Sequence, residues 1–192
     1  MNKQELNEAR TNPDFIKYLE ETRVDALNTQ NISALYEVLD SMLILDLDEK
    51  KINEVYEEIL KISFFEVEKI VNDGKKLKLK ENELYYIRSF YEHAIEKWSF
   101  QNIDGAKQLF FVLYNIIDDE LLEDALKIHV IALSEAMDLD TFYEKKVDEN
   151  SVLEDDSHGY FIVNFKFDIK NFLKENSTVL EKEYENLKYL LD

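Results

Sequence analysis

The chain has 192 residues and 45% of them are hydrophobic, enough for a packed core. Its 42 acidic and 23 basic residues leave a formal charge of -19, which repels phosphate backbones and anionic lipid, so direct nucleic-acid binding is disfavoured. With no Cys there are no disulfides, thiol nucleophiles or thiolate metal sites.

No apolar run reaches 18 residues, so no membrane insertion is expected. The opening MNKQELNEARTNPDF lacks the apolar stretch of a secretory signal. The expected setting is cytoplasmic. Only three Gly and one Pro occur, too few for the special turns of an all-β fold. Long helices with short connections are expected instead.

Asn12-Pro13 is a helix start, because Asn accepts from free backbone donors and Pro suits the first helical position. Phe15, Leu19, Val24 and Leu27 follow as a loose stripe. Ser33 is the expected cap of the next helix, whose apolar face holds Leu35, Val38, Leu39, Met42 and Leu45 and which ends near Asp46. From Glu49 to Asn72, one stripe carries Ile52, Val55, Ile59 and Ile62, and a shifted one carries Phe64, Val67 and Val71. Either one helix or two meeting near Lys61-Ser63 fits this pattern. Gly74 is the expected terminator. Lys75, Lys76, Lys78 and Lys80 follow, without Arg or aromatics, and read as a loop that neutralises nearby carboxylates.

Residues 82 to 100 give the clearest amphipathic helix, with Leu84, Ile87, Tyr91, Ala94 or Ile95, and Trp98 on one face. A hairpin partner follows, marked by Ile103, Ala106, Leu109, Phe110, Leu113 and Ile116. Asp118-Asp119-Glu120 begins another helix, through Leu122, Ala125, His129 and Leu133. A short helix is expected near Thr141-Val147. Acidic residues then dominate up to Asp156, as in an exposed connector. In YFIVNFKF, the alternation of Phe161, Val163, Phe165 and Phe167 reads as an extended segment. It either clamps the helices or pairs with another chain, so homo-oligomerisation stays open. Thr178 and Glu181 have capping-box spacing before a final stripe of Leu180, Tyr184, Leu187 and Leu191.

The expected fold is all-α, as stacked antiparallel helical hairpins or an irregular bundle, with a short extended segment near 160-167. The expected organisation is a helical array over 1-147, an acidic connector over 148-159, and an extended segment plus C-terminal helix over 160-192.

An internal echo supports hairpin stacking. QNISALYEVLDSMLILDLDE (30-49) and QNIDGAKQLFFVLYNIIDDE (101-120) lie 71 residues apart and share five of twenty positions. Seventy-one is about twice the period of a helical-hairpin repeat. A lone helix pair cannot bury its whole apolar side, and stacking a second pair closes the core.

Over residues 87-120 the run FYEHAIEKWSFQNIDGAKQLFFVLYNIIDD resembles the tetratricopeptide family. Ala94 and Ala106 match its small residues where paired helices approach, and Phe110 matches the following aromatic. Phe90 stands where its early Trp belongs, His93 replaces a Leu, Lys97 an aromatic, Leu113 a small residue, and Asp118 the terminal Pro. The resemblance implies a superhelical array that binds peptides or proteins, sometimes as a chaperone.

No Gly-rich phosphate loop, nucleophile elbow or HExxH is present. His93 with Glu96 reads as a surface pair and His129 as a packing histidine. His158 follows a cluster of acids. No cofactor is expected. The candidate partner-binding residues are the aromatics Tyr85, Tyr86, Phe90, Tyr91 and Trp98, with Phe111 and Tyr114. The leading expectation is an acidic adaptor or chaperone that binds a protein or peptide, of basic character if its charge matters. One alternative is an acidic decoy of nucleic acid that occupies a basic protein. The other is a metal-dependent hydrolase using dispersed His and carboxylates.

Overall fold

The computed structural model describes residues 3-152 and 155-191. Among them the chain is all-α, with helices α1 (Lys3–Thr11), α2 (Pro13–Thr29), α3 (Ile32–Ile44), α4 (Glu49–Asn72), α5 (Glu81–Ser99), α6 (Ile103–Ile116), α7 (Glu120–Ser134), α8 (Leu139–Lys146), α9 (Ile169–Glu175) and α10 (Ser177–Leu187). The chain divides into two compact units, 1-66 and 67-192.

In unit 1, α2 starts where Asn12-Pro13 places it, with the Asn12 side chain accepting from the backbone N–H of Asp14 and Phe15. α2 packs on α3, and Leu35, Val38, Leu39, Met42 and Leu45 are all buried. The cap of α3 is Asn31, not Ser33, since Asn31 Oδ1 accepts from Ala34 N–H at 3.2 Å. An Asn reaches a free donor at the helix end as well as Ser does, and starting two residues earlier brings the buried Ile32 into the helix. α4 is one continuous helix, with residues 49-66 in unit 1 and residues 67-72 in unit 2. It buries Val55, Ile59, Ile62 and Val67, while Phe64 and Val71 of the shifted stripe stay exposed. Gly74, at φ +70°, ends it as expected, and Lys75 N–H reaches back to Ile70 O at 3.1 Å. α1 was not foreseen; its polar sequence carries no apolar stripe.

Unit 2 is centred on α7, which is buried nearly all round from Leu122 to Leu133 and packs against α6, α9 and α10. α5 pairs with α6 as an antiparallel hairpin. The lysine loop is stitched to the far end of α6, because Leu77 N–H donates to Ile116 O (2.8 Å) and Leu77 O accepts from Asp118 N–H (2.7 Å). Lys75 pairs with Asp73 at 3.0 Å, and Lys78 lies 3.9 Å from Asp118. Segment 160-167 is extended, with Phe161, Val163 and Phe165 buried, and it lies on the helices of its own unit through a single bridge, Val147 to Phe165.

The C-terminus departs from expectation. Thr178 lies inside α10, whose cap position is Asn176, and the buried face runs through Glu183 and Leu187 while Tyr184 and Leu191 are exposed. Glu183 is buried because Lys107 of α6 holds it at 3.1 Å, a partner no helical period reveals. α9, only seven residues long, was also missed.

The 71-residue echo is an echo of corner geometry. Gln30 and Gln101 both adopt left-handed backbone, at φ 51° and 60°. The next residues, Asn31 and Asn102, send their N–H five residues back, to Ala26 O (3.2 Å) and Lys97 O (2.8 Å). Each Asn side chain then caps the following helix, on Ala34 N–H and Gly105 N–H. At the far end Asp48 and Asp119 cap the helix after that, on Lys51 N–H (3.0 Å) and Leu122 N–H (2.8 Å). Of the shared letters, Gln, Asn and Asp are the residues that make these turns.

Candidate functional site

The sequence-nominated aromatics are mostly core. Tyr86, Phe90, Tyr91, Trp98, Phe111 and Tyr114 are buried, and Tyr85 is half-buried. Two faces of α5 are covered, which is why its aromatics exceed one stripe. Trp98 Nε1–H donates to Met137 O at 2.8 Å, and its ring meets Phe110 and Phe142. Phe111 packs against Tyr114 and Tyr184. Burial pushes the Tyr114 hydroxyl up to about 12, so it stays a neutral phenol at any ordinary pH. These side chains fill the interior of unit 2.

The histidines also separate. His93 makes the expected pair with Glu96 at 2.9 Å. His158 Nε2 lies 3.1 Å from Asp119 Oδ1. His129 is fully buried among Tyr91, Trp98, Phe110, Phe142 and Phe165. Its Nδ1 is 2.7 Å from Ala125 O, which requires Nδ1–H and leaves Nε2 to accept from Tyr91 Oη–H at 3.2 Å. Burial pushes the imidazole down to about 4, outweighing the Ala125 bond. Among the described residues no three His, Asp or Glu side chains group as a cation site, so the dispersed-histidine hydrolase has no centre there.

The concave feature that reasoning from sequence missed lies in unit 1. A cavity of about 170 Å³ opens where α2, the end of α3 and the start of α4 meet. Ile16 and Leu19 from α2, Met42 from α3, and Leu47 from the α3–α4 turn form its apolar lining. Its rim is charged. Glu20 accepts from Arg23 Nη2 (2.8 Å), Arg23 Nε (3.2 Å) and Lys51 Nζ (2.8 Å). The Arg23 fork, then Lys51, hold the Glu20 carboxyl at about 2. Arg23 also lies 3.5 Å from Glu54. Asp48, on the rim, uses Oδ1 to cap α4.

The same 71-residue offset places different side chains at the corresponding positions of unit 2. Leu19, Glu20, Arg23 and Lys51 stand 71 residues before Phe90, Tyr91, Ala94 and Leu122, all buried in unit 2. Unit 2 has two aromatic rings where unit 1 has a Leu and a Glu. Leu19 is smaller than Phe90, and Glu20 turns its carboxylate to the ion pair with Arg23 and Lys51 at the cavity rim.

No described helix is long and apolar enough to cross a membrane. No family model, curated protein or solved structure matches the chain.

Proposed function

We propose that this all-helical chain is a protein-interaction module that docks one aliphatic side chain of a basic partner segment into the unit 1 cavity. The observation that carries this reading is a preformed apolar cavity with a fixed, charged rim, in a chain with 19 more acids than bases. Burying one Leu or Ile side chain contributes about 2 kcal/mol, and the rim supplies direction. The Glu20–Arg23–Lys51 cluster is already internally paired, so a partner's cation is drawn by the less engaged Asp48 and Glu54. Excess negative charge speeds encounter with a basic segment and rejects acidic ones. The tetratricopeptide resemblance and the repeated corners support the same reading, since stacked hairpins commonly present peptide-binding surfaces.

The test uses two fluorescein-labelled peptides, Lys-Lys-Leu-Lys-Lys and Glu-Glu-Leu-Glu-Glu, against the native chain and Leu47→Phe. Leu47→Phe fills the cavity from a half-buried position. The basic peptide binds the native chain more tightly than the acidic one, with affinity falling as salt rises, and loses most of its affinity for Leu47→Phe. Equal binding by a folded Leu47→Phe overturns the cavity as the anchor.

A further inference from the structure

We propose that the groove between α5, α7 and α8 in unit 2 is a receptor for extended protein segments, held in this structure by the chain's own residues 160-167. The occupant it fits is a stretch of another protein with aromatic, aliphatic and aromatic residues at alternate positions. This goes beyond the unit 1 cavity and does not depend on it.

The contacts divide as they do for a bound strand, with main chain held at alternate residues and side chains pocketed between them. Ile162 N–H donates to Tyr91 Oη at 3.0 Å. Asn164 O accepts from Asp148 N–H at 3.0 Å, and Lys166 N–H donates to Lys146 O at 2.9 Å. None of these bonds reads a side chain of residues 162, 164 or 166. Between them Phe161 packs edge-on to Tyr91, Val163 is buried, and Phe165 meets His129 and Phe142. Arg88 lies 4.3 Å over the Tyr160 ring at the entrance.

The groove carries more polarity than a passive core needs. Tyr91 Oη donates to His129 Nε2 and still presents a lone pair outward, where it meets a backbone N–H. A buried hydroxyl costs stability unless satisfied, and an extended main chain satisfies this one whatever its sequence. The segment is reached through exposed residues, Glu149 to Val152, Asp155 and Asp156, which carry no regular helix before the short 3₁₀ turn at Asp156–His158. On either side of it His158 is buried and held to Asp119 at 3.1 Å, and Asp168 caps α9, so the segment opens between two anchored ends.

The first measurement is amide hydrogen exchange on the native chain. The Ile162 and Lys166 amides are expected to exchange at least tenfold faster than the α7 amides of Ile128 to Ala132, because the segment opens without global unfolding. Exchange of both sets at one common rate makes the segment inseparable from the core and overturns the proposal. The second is anisotropy of a labelled peptide, GYFIVNFKFD, against the native chain and Phe161→Ala/Phe165→Ala. The folded double variant, with its own segment weakened, is expected to bind at least tenfold more tightly than the native chain. A scrambled peptide that binds equally, no gain in the folded variant, or concentration-dependent dimers that exclude the peptide each count against it. If the double variant does not fold, the exchange result on the native chain decides.

Discussion

At the scale of single residues, His129 ties three elements together. Its ring bridges Ala125 of α7 to Tyr91 of α5, and Tyr91 holds Ile162. The chain of bonds closes only when the imidazole is neutral. Protonation puts a proton on Nε2, leaves the Tyr91 hydroxyl hydrogen without its acceptor, and buries a charge among aromatic rings. The folded value of about 4 lies below the ordinary value of 6.5, so the unfolded state takes up a proton first as pH falls. The stabilisation is complete above pH 6.5 and is lost between 6.5 and 4, a total of about 3 kcal/mol. Urea midpoints measured across that window are expected to fall steeply for the native chain. His129→Gln is expected to be less stable at pH 7 and to show a shallower slope. Equal slopes in both chains assign the acid sensitivity to other groups.

Gly105 is a second residue-scale case. It sits in the first turn of α6, and a Cβ there comes within 2.8 Å of the Asn102 Oδ1 that caps the helix. Gly→Ala in a helix ordinarily gains about 1 kcal/mol. Loss of an Asn cap costs about as much. Gly105→Ala is therefore expected to change stability by less than about 0.5 kcal/mol, unlike an ordinary helical glycine. Thermal melts of Gly105→Ala, Asn102→Ala and the double variant test this. The two changes must be strongly non-additive, since both act on one cap.

At the scale of elements, the sequence was most legible where one residue type has one local task. Asn12-Pro13 and Gly74 placed a start and a stop, and the apolar stripes of α3, α5 and α6 appear as buried faces. The extended character of 160-167 followed from its alternation. Less legible were elements whose partners lie far along the chain. α1 and α9 are short, and the buried face of α10 includes Glu183, whose ion pair with Lys107 no local pattern reveals. The environment of the candidate aromatics was hard to read for a related reason. The aromatics of α5 exceed one stripe, which suggests a surface, but unit 2 covers that helix on more than one side. The cavity instead forms where three segments of unit 1 meet, and such a junction has no sequence motif.

Within α4 one position works against the fold. Ser63 is fully buried, and its hydroxyl has no hydrogen-bond partner. Serine in a helix often returns its hydroxyl to the preceding turn, and here it does not. An unmet buried hydroxyl costs about 1 to 3 kcal/mol, and alanine has the better helix propensity. Ser63→Ala is expected to stabilise the chain by about 1 kcal/mol, read as a higher urea midpoint at unchanged slope. A lower midpoint means that the hydroxyl has a role the packing does not account for.

At the scale of the whole molecule, charge opposes compaction. With 42 acids and 23 bases, at least 19 carboxylates cannot be matched one to one. Some of the visible pairs are local and exposed, such as Lys17–Glu21 and Lys188–Glu185, and such pairs contribute about 0 to 1 kcal/mol each. Salt therefore acts in two directions. It weakens those pairs, and it screens the longer-range repulsion among the unmatched acids. Repulsion involves many more pairs over distances comparable to the Debye length, which falls from about 20 Å to about 7 Å between about 20 and 200 mM salt. Screening wins, so the melting midpoint is expected to rise by about 3 °C or more over that range at pH 7. Partner capture moves the opposite way, because the same screening weakens attraction for a basic segment. A stability that falls with salt places the balance in the local ion pairs. A capture that does not weaken with salt removes electrostatic selection from the proposed interaction and leaves the apolar cavity as its sole determinant.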